Sequence, residues 1–211
     1  MLAIGGWNEG SSRFSPLVAS AERRGQLVKN TIKYLRQNKF DGLDLDWEYP
    51  AFRDGGKSRD RDNYAKLVQE LREEFDRENQ KTGRPRLLLT MAVPAGFGKW
   101  SSSTFLSYEY SLLTFWTFTE YIDNGYDIPK LNKYLDWFNL LSYDYHSAYE
   151  PATNHHAPLY PLEEENEYSF DTDLNIVSLM LGKLSIASML IESIFLLTEF
   201  YNHKVCECWC W

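Results

Sequence analysis

Cysteine is missing from the first 205 residues; Cys206, Cys208 and Cys210 all lie at the extreme end. That excludes a disulfide framework through the body of the chain, and it leaves the redox compartment open. The terminal trio has no partner ligands at zinc-site spacing, so a zinc centre is not expected. Histidine is scarce as well. His155 and His156 are adjacent and point apart in extended backbone, so they make no metal pair, and His146 is expected on a loop. Neither a metal nor a cofactor is expected. The opening MLAIGGW lacks a basic segment followed by an apolar one, so no secretory leader is visible in it. A basic excess is also lacking: the net charge is -8, which argues against a nucleic-acid partner. No long uninterrupted apolar run occurs. The most apolar stretch, from Val177 onward, is interrupted by Lys183 and Glu192, and a membrane span is not assigned to it.

What is abundant is aromatic: 16% of the residues are Phe, Trp or Tyr. Either a large core or a ring-lined ligand site would use them. The 211 residues suffice for one domain with a sizeable core. Leu2–Ile4 is a short apolar run stopped by Gly5-Gly6, which predicts a buried strand and a tight turn. Ala21–Asn38 and Asp62–Gln80 carry apolar residues at helical spacing. Gly42–Trp47, Leu87–Val93 and Trp137–Tyr143 read as strands, the last two buried, and Ile128–Leu135 as a short helix. Trp137 and Phe138 are expected in the core. Strands alternating with helices predict an α/β fold with parallel strands and crossover helices.

The chemistry concentrates in Asp41–Pro50, DGLDLDWEYP. Asp44, Asp46 and Glu48 stand at i, i+2 and i+4, one face of a strand. Three carboxylates on one face cannot all ionise freely, so at least one is expected to keep its proton above the usual range. A group that holds a proton near neutrality can deliver it to a leaving oxygen. The same spacing alone would also suit a solvated strand end or a hard-cation site. Trp47 and Tyr49, bulky rings beside the acids, favour a site where a sugar ring stacks.

FDGLDLDWEYP resembles the D-x-x-D-x-D-x-E signature of family 18 glycoside hydrolases, the chitinases. LAIGGWNEGS resembles the family's preceding strand motif, LLLTMAVPAG the following strand, and LLSYDYHSAYEP its M-x-Y-D strand with Leu141 in place of Met. EYIDNGYDIPKLNKYLDWFN and NHHAPLY are similar to animal chitinases, those of insects above all. The resemblance implies a (β/α)8 TIM barrel, here incomplete, with about four central strand–helix units. A whole barrel takes roughly 250 residues. It implies endo-hydrolysis of β-1,4-linked N-acetylglucosamine in chitin and chito-oligosaccharides, outside the cell, by a retaining, substrate-assisted route. By position, Glu48 is the acid/base, Asp46 orients the substrate's acetamide, and Asp44 tunes Asp46. Tyr143 would hold the acetamido oxygen. Gly5, Gly6, Trp7, Asn8, Tyr49, Leu141, Ser142, Asp144 and Tyr149 would contact substrate, and Asp41 would anchor the strand start. A chitinase-like carbohydrate-binding protein is the alternative; such proteins typically lose the acid, which this chain keeps.

The resemblance covers residues 1–176 apart from 97–119, an aromatic insertion that lacks the periodicity of its flanks. Residues 177–211 form an apolar tail unlike the family. The reading is that both segments are mispredicted coding sequence, and that 1–211 alone is poorly soluble and nearly inactive, with open strand edges. A transcript spanning Gly96 to Glu120 is expected to lack the codons for 97–119; a mature message that retains them refutes this.

Overall fold

The computed structural model describes residues 1–94, 121–141, 143 and 155–157. Four strands form one sheet in the order β1-β2-β3-β4. They are β1 (Leu2–Gly5), β2 (Gly42–Asp46), β3 (Leu88–Pro94) and β4 (Trp137–Leu141). β1 pairs in parallel with β2, placing Ala3 opposite Asp44 and Gly5 opposite Asp46. β2 pairs in parallel with β3, placing Asp44 opposite Thr90. The connections are helical: α1 (Phe14–Ala19) and α2 (Ala21–Gln37) follow β1, α3 (Asp60–Thr82) follows β2, and the short α4 (Ile128–Leu131) precedes β4. The expected alternation and parallel pairing are therefore present. The chain divides into two units, residues 1–93 with 119–139 and residues 94–118 with 140–211, and the first holds nearly everything described.

Local chemistry sets the element ends. Ser20 caps α2 by accepting from the Arg23 amide at 3.3 Å. Gly83, at φ +68°, ends α3 with its amide on the Asn79 carbonyl at 2.8 Å, the left-handed terminus that glycine adopts without strain. α4 stops four residues short of the expected Leu135. Asp127 caps its start, and the bonds from Lys133 to Lys130 and from Tyr134 to Leu131 tighten the chain into i→i+3 turns. α1 escaped sequence reading, because six residues are too few to show a period.

The core lies between β2 and the helices. Leu43, Leu45 and Trp47 are each at most 1% exposed, as are Tyr64, Leu67, Val68, Leu71 and Phe75 of α3. Trp47 stacks on Phe14 of α1 at 5.0 Å and meets Tyr64 of α3 edge-on at 5.0 Å. This corrects the expectation that Trp47 offers a sugar-stacking ring. It follows the last residue of β2 at odd parity and is buried like Leu43 and Leu45, opposite Asp44 and Asp46. Two further readings change. β1 is not buried, with Leu2 and Ile4 intermediate and Ala3 and Gly5 exposed, because among the described residues it has one strand neighbour. β4 buries Phe138 but leaves Trp137 and Asn139 half exposed, so Trp137 is not core; it shares a face with Asn139 instead. The β3 reading holds, with six of its seven residues buried.

No helix of the described residues is long and apolar enough to cross a membrane. The apolar run from Val177, His146 and the three cysteines lie outside the described residues.

Trp47→Ala is expected to cost about 3–5 kcal/mol of stability, the loss of a fully buried aromatic. Trp7→Ala, at a ring that is 59% exposed, should change stability by less than about 0.5 kcal/mol. Chemical denaturation of both variants checks the contrast; equal losses would show that Trp47 is not the core residue.

Candidate active site

Because side chains alternate along a strand, β2 turns Asp44 and Asp46 to the face away from the helices, both half buried. Glu48 follows just past the strand end and is buried, 8% exposed. Neighbouring strands supply donors to this face. Thr90 of β3 donates its hydroxyl to Asp44 Oδ1 at 2.6 Å, and Asn139 of β4 donates its amide to the same oxygen at 2.9 Å. Asn139 in turn accepts from the Trp137 indole N–H at 3.0 Å. A chain of donors thus runs Trp137 to Asn139 to Asp44, which orients the amide toward Asp44 Oδ1.

Asp46 is treated oppositely. Its Oδ1 is buried with no hydrogen-bond partner. Burial first, then Glu48 and Asp44, push its carboxyl from 3.8 up to about 6. The raised carboxyl expected somewhere in the acidic row is therefore found at Asp46. The unpaired Oδ1 leaves this carboxyl a spare acceptor aimed at no protein group, as suits a residue that meets a ligand N–H.

The glycines explain how close β1 comes. Gly5 has φ +114°, and a Cβ there would stand 1.9 Å from the Asp46 carbonyl oxygen. The Gly6 amide bonds that same carbonyl at 2.7 Å, and a Cβ on Gly6 would lie 3.7 Å from Asp46 Oδ2. Gly5 and Gly6 thus seat Asp46 by backbone approach. Trp7 and Asn8 follow them and are exposed. Arg53 lies 3.9 Å from the centre of the Trp7 ring and donates to the Trp7 carbonyl at 2.6 Å and to the Glu48 carbonyl at 3.3 Å. It links the exposed ring to the buried acid. Tyr49 is half buried, its ring tilted 5.1 Å from Tyr121.

Asp41 is exposed, and its backbone carbonyl accepts from the Leu88 amide at 2.9 Å, one bond at the foot of the β2–β3 pairing. Leu141 ends β4 and Tyr143 is 45% exposed. Ser142, Asp144 and Tyr149 lie outside the described residues. The structure thus brings Asp44, Asp46, Glu48, Gly5, Gly6, Trp7 and Tyr49 into one unit. Thr90 and Asn139 went unpredicted. Their signal was available: each is the lone polar residue inside a strand of apolar ones, LLTMAVP and WFNLL.

A sequence model described as Glycosyl hydrolases family 18 matches residues 1–203. The chain belongs to this family. Among its relatives, chitotriosidase-1 of Mus musculus is 37% identical over 90% of this chain and 36% of its own length. Probable chitinase 2 of Drosophila melanogaster is 39% identical over 82% of this chain and 30% of its own. The chain thus spans about a third of the length of these relatives. An immunomodulatory active chitinase from Trichuris suis superimposes with a TM-score of 0.67 at 33% identity, covering 89% of this chain and 43% of that one. Human YKL-39, described as a pseudo-chitinase with retained chitooligosaccharide binding, gives 0.66 at 31% identity, covering 89% and 44%. The fold is accordingly of the family's barrel-like α/β type, of which four parallel strands are described here, and the chain is a chitinase-like family 18 protein.

The raised Asp46 carboxyl has a cost. Between about pH 4 and 6 the folded chain holds a proton that the unfolded chain has released, so stability falls as pH rises through that window. Asp46→Asn removes the ionisation. It should raise the melting temperature above the parent's at pH 7 by about 2–4 °C and give no such gain at pH 4. A gain of equal size at both pH values would contradict the assignment of the proton to Asp46.

Proposed function

We propose that this chain carries the catalytic acid of a chitinase, with Glu48 protonating the glycosidic oxygen of β-1,4-linked N-acetylglucosamine polymers. The observation that carries the reading is the separation of roles among three carboxyls on one strand. Asp44 is held as an acceptor by Thr90 and Asn139, Asp46 keeps a proton to about pH 6, and Glu48 is buried just beyond.

The proposed mechanism is retaining and assisted by the substrate, the route that sets this family apart from two-carboxylate glycosidases. The substrate's acetamido oxygen attacks the anomeric carbon while Glu48, which takes up the Asp46 proton as substrate binds and leaves Asp46 ionised, gives that proton to the departing oxygen. Asp46 accepts the acetamido N–H on its unpartnered oxygen, steering the internal nucleophile. The cationic ring that forms is stabilised by negative charge on Asp46, backed by Asp44. Glu48 then takes a proton from water, which opens the ring with net retention. Tyr143 is proposed to hold the acetamido oxygen and Asp144 to bind the adjacent sugar. Trp7, Asn8, Tyr49 and Tyr149 are proposed contacts along the polymer, and action outside the cell follows from such a substrate. No part of this route needs a metal or a cofactor.

Binding without hydrolysis is the second reading, since YKL-39 is described in those terms. The intact acid row supports the enzyme. Hydrolysis of a chromogenic chito-oligosaccharide by the protein should fall about 10²–10⁴-fold in Glu48→Gln, with binding kept within a few-fold. Tight binding with no turnover, unaltered by Glu48→Gln, would establish the binding protein instead.

A further inference from the structure

Three consecutive carbonyls around the proposed acid are each held by a side chain from elsewhere. The Tyr126 hydroxyl donates to the Trp47 carbonyl at 3.0 Å. Arg53 reaches the Glu48 carbonyl at 3.3 Å. The Ser11 hydroxyl donates to the Tyr49 carbonyl at 3.0 Å and to the Phe52 carbonyl at 2.6 Å. Ser11 also accepts from the Trp47 indole N–H at 2.9 Å. It is 1% exposed; its one proton is shared between the two carbonyls and one lone pair takes the indole N–H. Ser11 thus grips the residues on both sides of Glu48, from a segment that follows Trp7 and Asn8.

The gripped loop needs holding. Ala51 and Arg53 both adopt left-handed backbone, φ +68° and +61°, a conformation that costs a non-glycine residue free energy. The far end of the loop is fastened by Asp60, itself 1% exposed. Asp60 accepts from Ser15 at 2.8 Å, from the Lys57 amide at 2.7 Å and from the Ala51 amide at 3.4 Å.

We propose that Ser11 is a positioning residue for Glu48: it sets where the acid stands relative to the Trp7 segment without touching substrate. The inference rests on the hydrolase reading for its catalytic consequence. A displacement of the acid by a fraction of an ångström affects the proton-transfer step more than substrate binding.

The test compares Ser11→Ala and Ser11→Thr with the parent protein. Two readouts are taken: hydrogen–deuterium exchange across 47–56, and kcat and KM on a chromogenic chito-oligosaccharide. Ser11→Ala should speed exchange in 47–56 with β1 and β3 unchanged, and lower kcat about tenfold or more while KM moves less than about twofold. Ser11→Thr, which restores the hydroxyl, should return both toward the parent. Should Ser11→Ala not fold, Ser11→Cys keeps the volume with a weak donor and should give the same pattern at smaller amplitude. Unchanged exchange in 47–56, a uniform rise over every element, or a loss in KM alone would each overturn the proposal. A parent without turnover, matched by Glu48→Gln, would refute the hydrolase reading separately. The exchange result needs no turnover and still decides whether Ser11 holds this segment.

Discussion

Like charges on one strand face are the constraint around which the rest is arranged. β2 carries Asp44 and Asp46 on the side away from the helices, and Glu48 waits just beyond. Repulsion and lost hydration would disfavour such a row, so the neighbouring strands divide the load. Thr90 and Asn139 turn Asp44 into a well-satisfied acceptor. Asp46 receives no such donor and meets the strain by keeping its proton to about pH 6. Identical side-chain chemistry two residues apart therefore meets different surroundings: Asp44 Oδ1 takes two donors, whereas Asp46 Oδ1 is buried and unpartnered among the described residues.

The opposite face of the same strand supplies the stability that tolerates this. Leu43, Leu45 and Trp47 are buried there, and Trp47 packs on Phe14 of α1 and Tyr64 of α3. Trp47 ties the two faces together: its ring belongs to the core, its carbonyl is held by Tyr126, and its indole N–H by Ser11. The acid next to it is thereby mounted on a packed aromatic cluster. Sites held by locked neighbours keep their geometry better than sites on free loops.

Much of this was legible in the chain. The alternation of apolar runs and helical periods predicted parallel strands, and the pairings agree. The even spacing of Asp44, Asp46 and Glu48 predicted the shared face. The glycines were read as substrate contacts, and the structure adds a second need for them in the close approach of β1 to Asp46. Trp47 was misread because proximity in sequence to the acids hid its odd parity. Trp137 was misread because an apolar run does not reveal which face of a strand meets a helix.

By itself the sequence determined the acid row, its strand, the crossover order and, through motifs, the family. Those depend on residue type and on spacings of a few positions, which backbone geometry converts directly into direction. Only the tertiary structure decided that burial raises the Asp46 carboxyl, that Thr90 and Asn139 reach Asp44, and that Ser11 meets the Trp47 indole. Asn139 lies 95 residues from Asp44 along the chain, and Ser11 lies 36 from Trp47. Burial and donor placement at such separations come from the packing of strands and helices, and no local pattern encodes them.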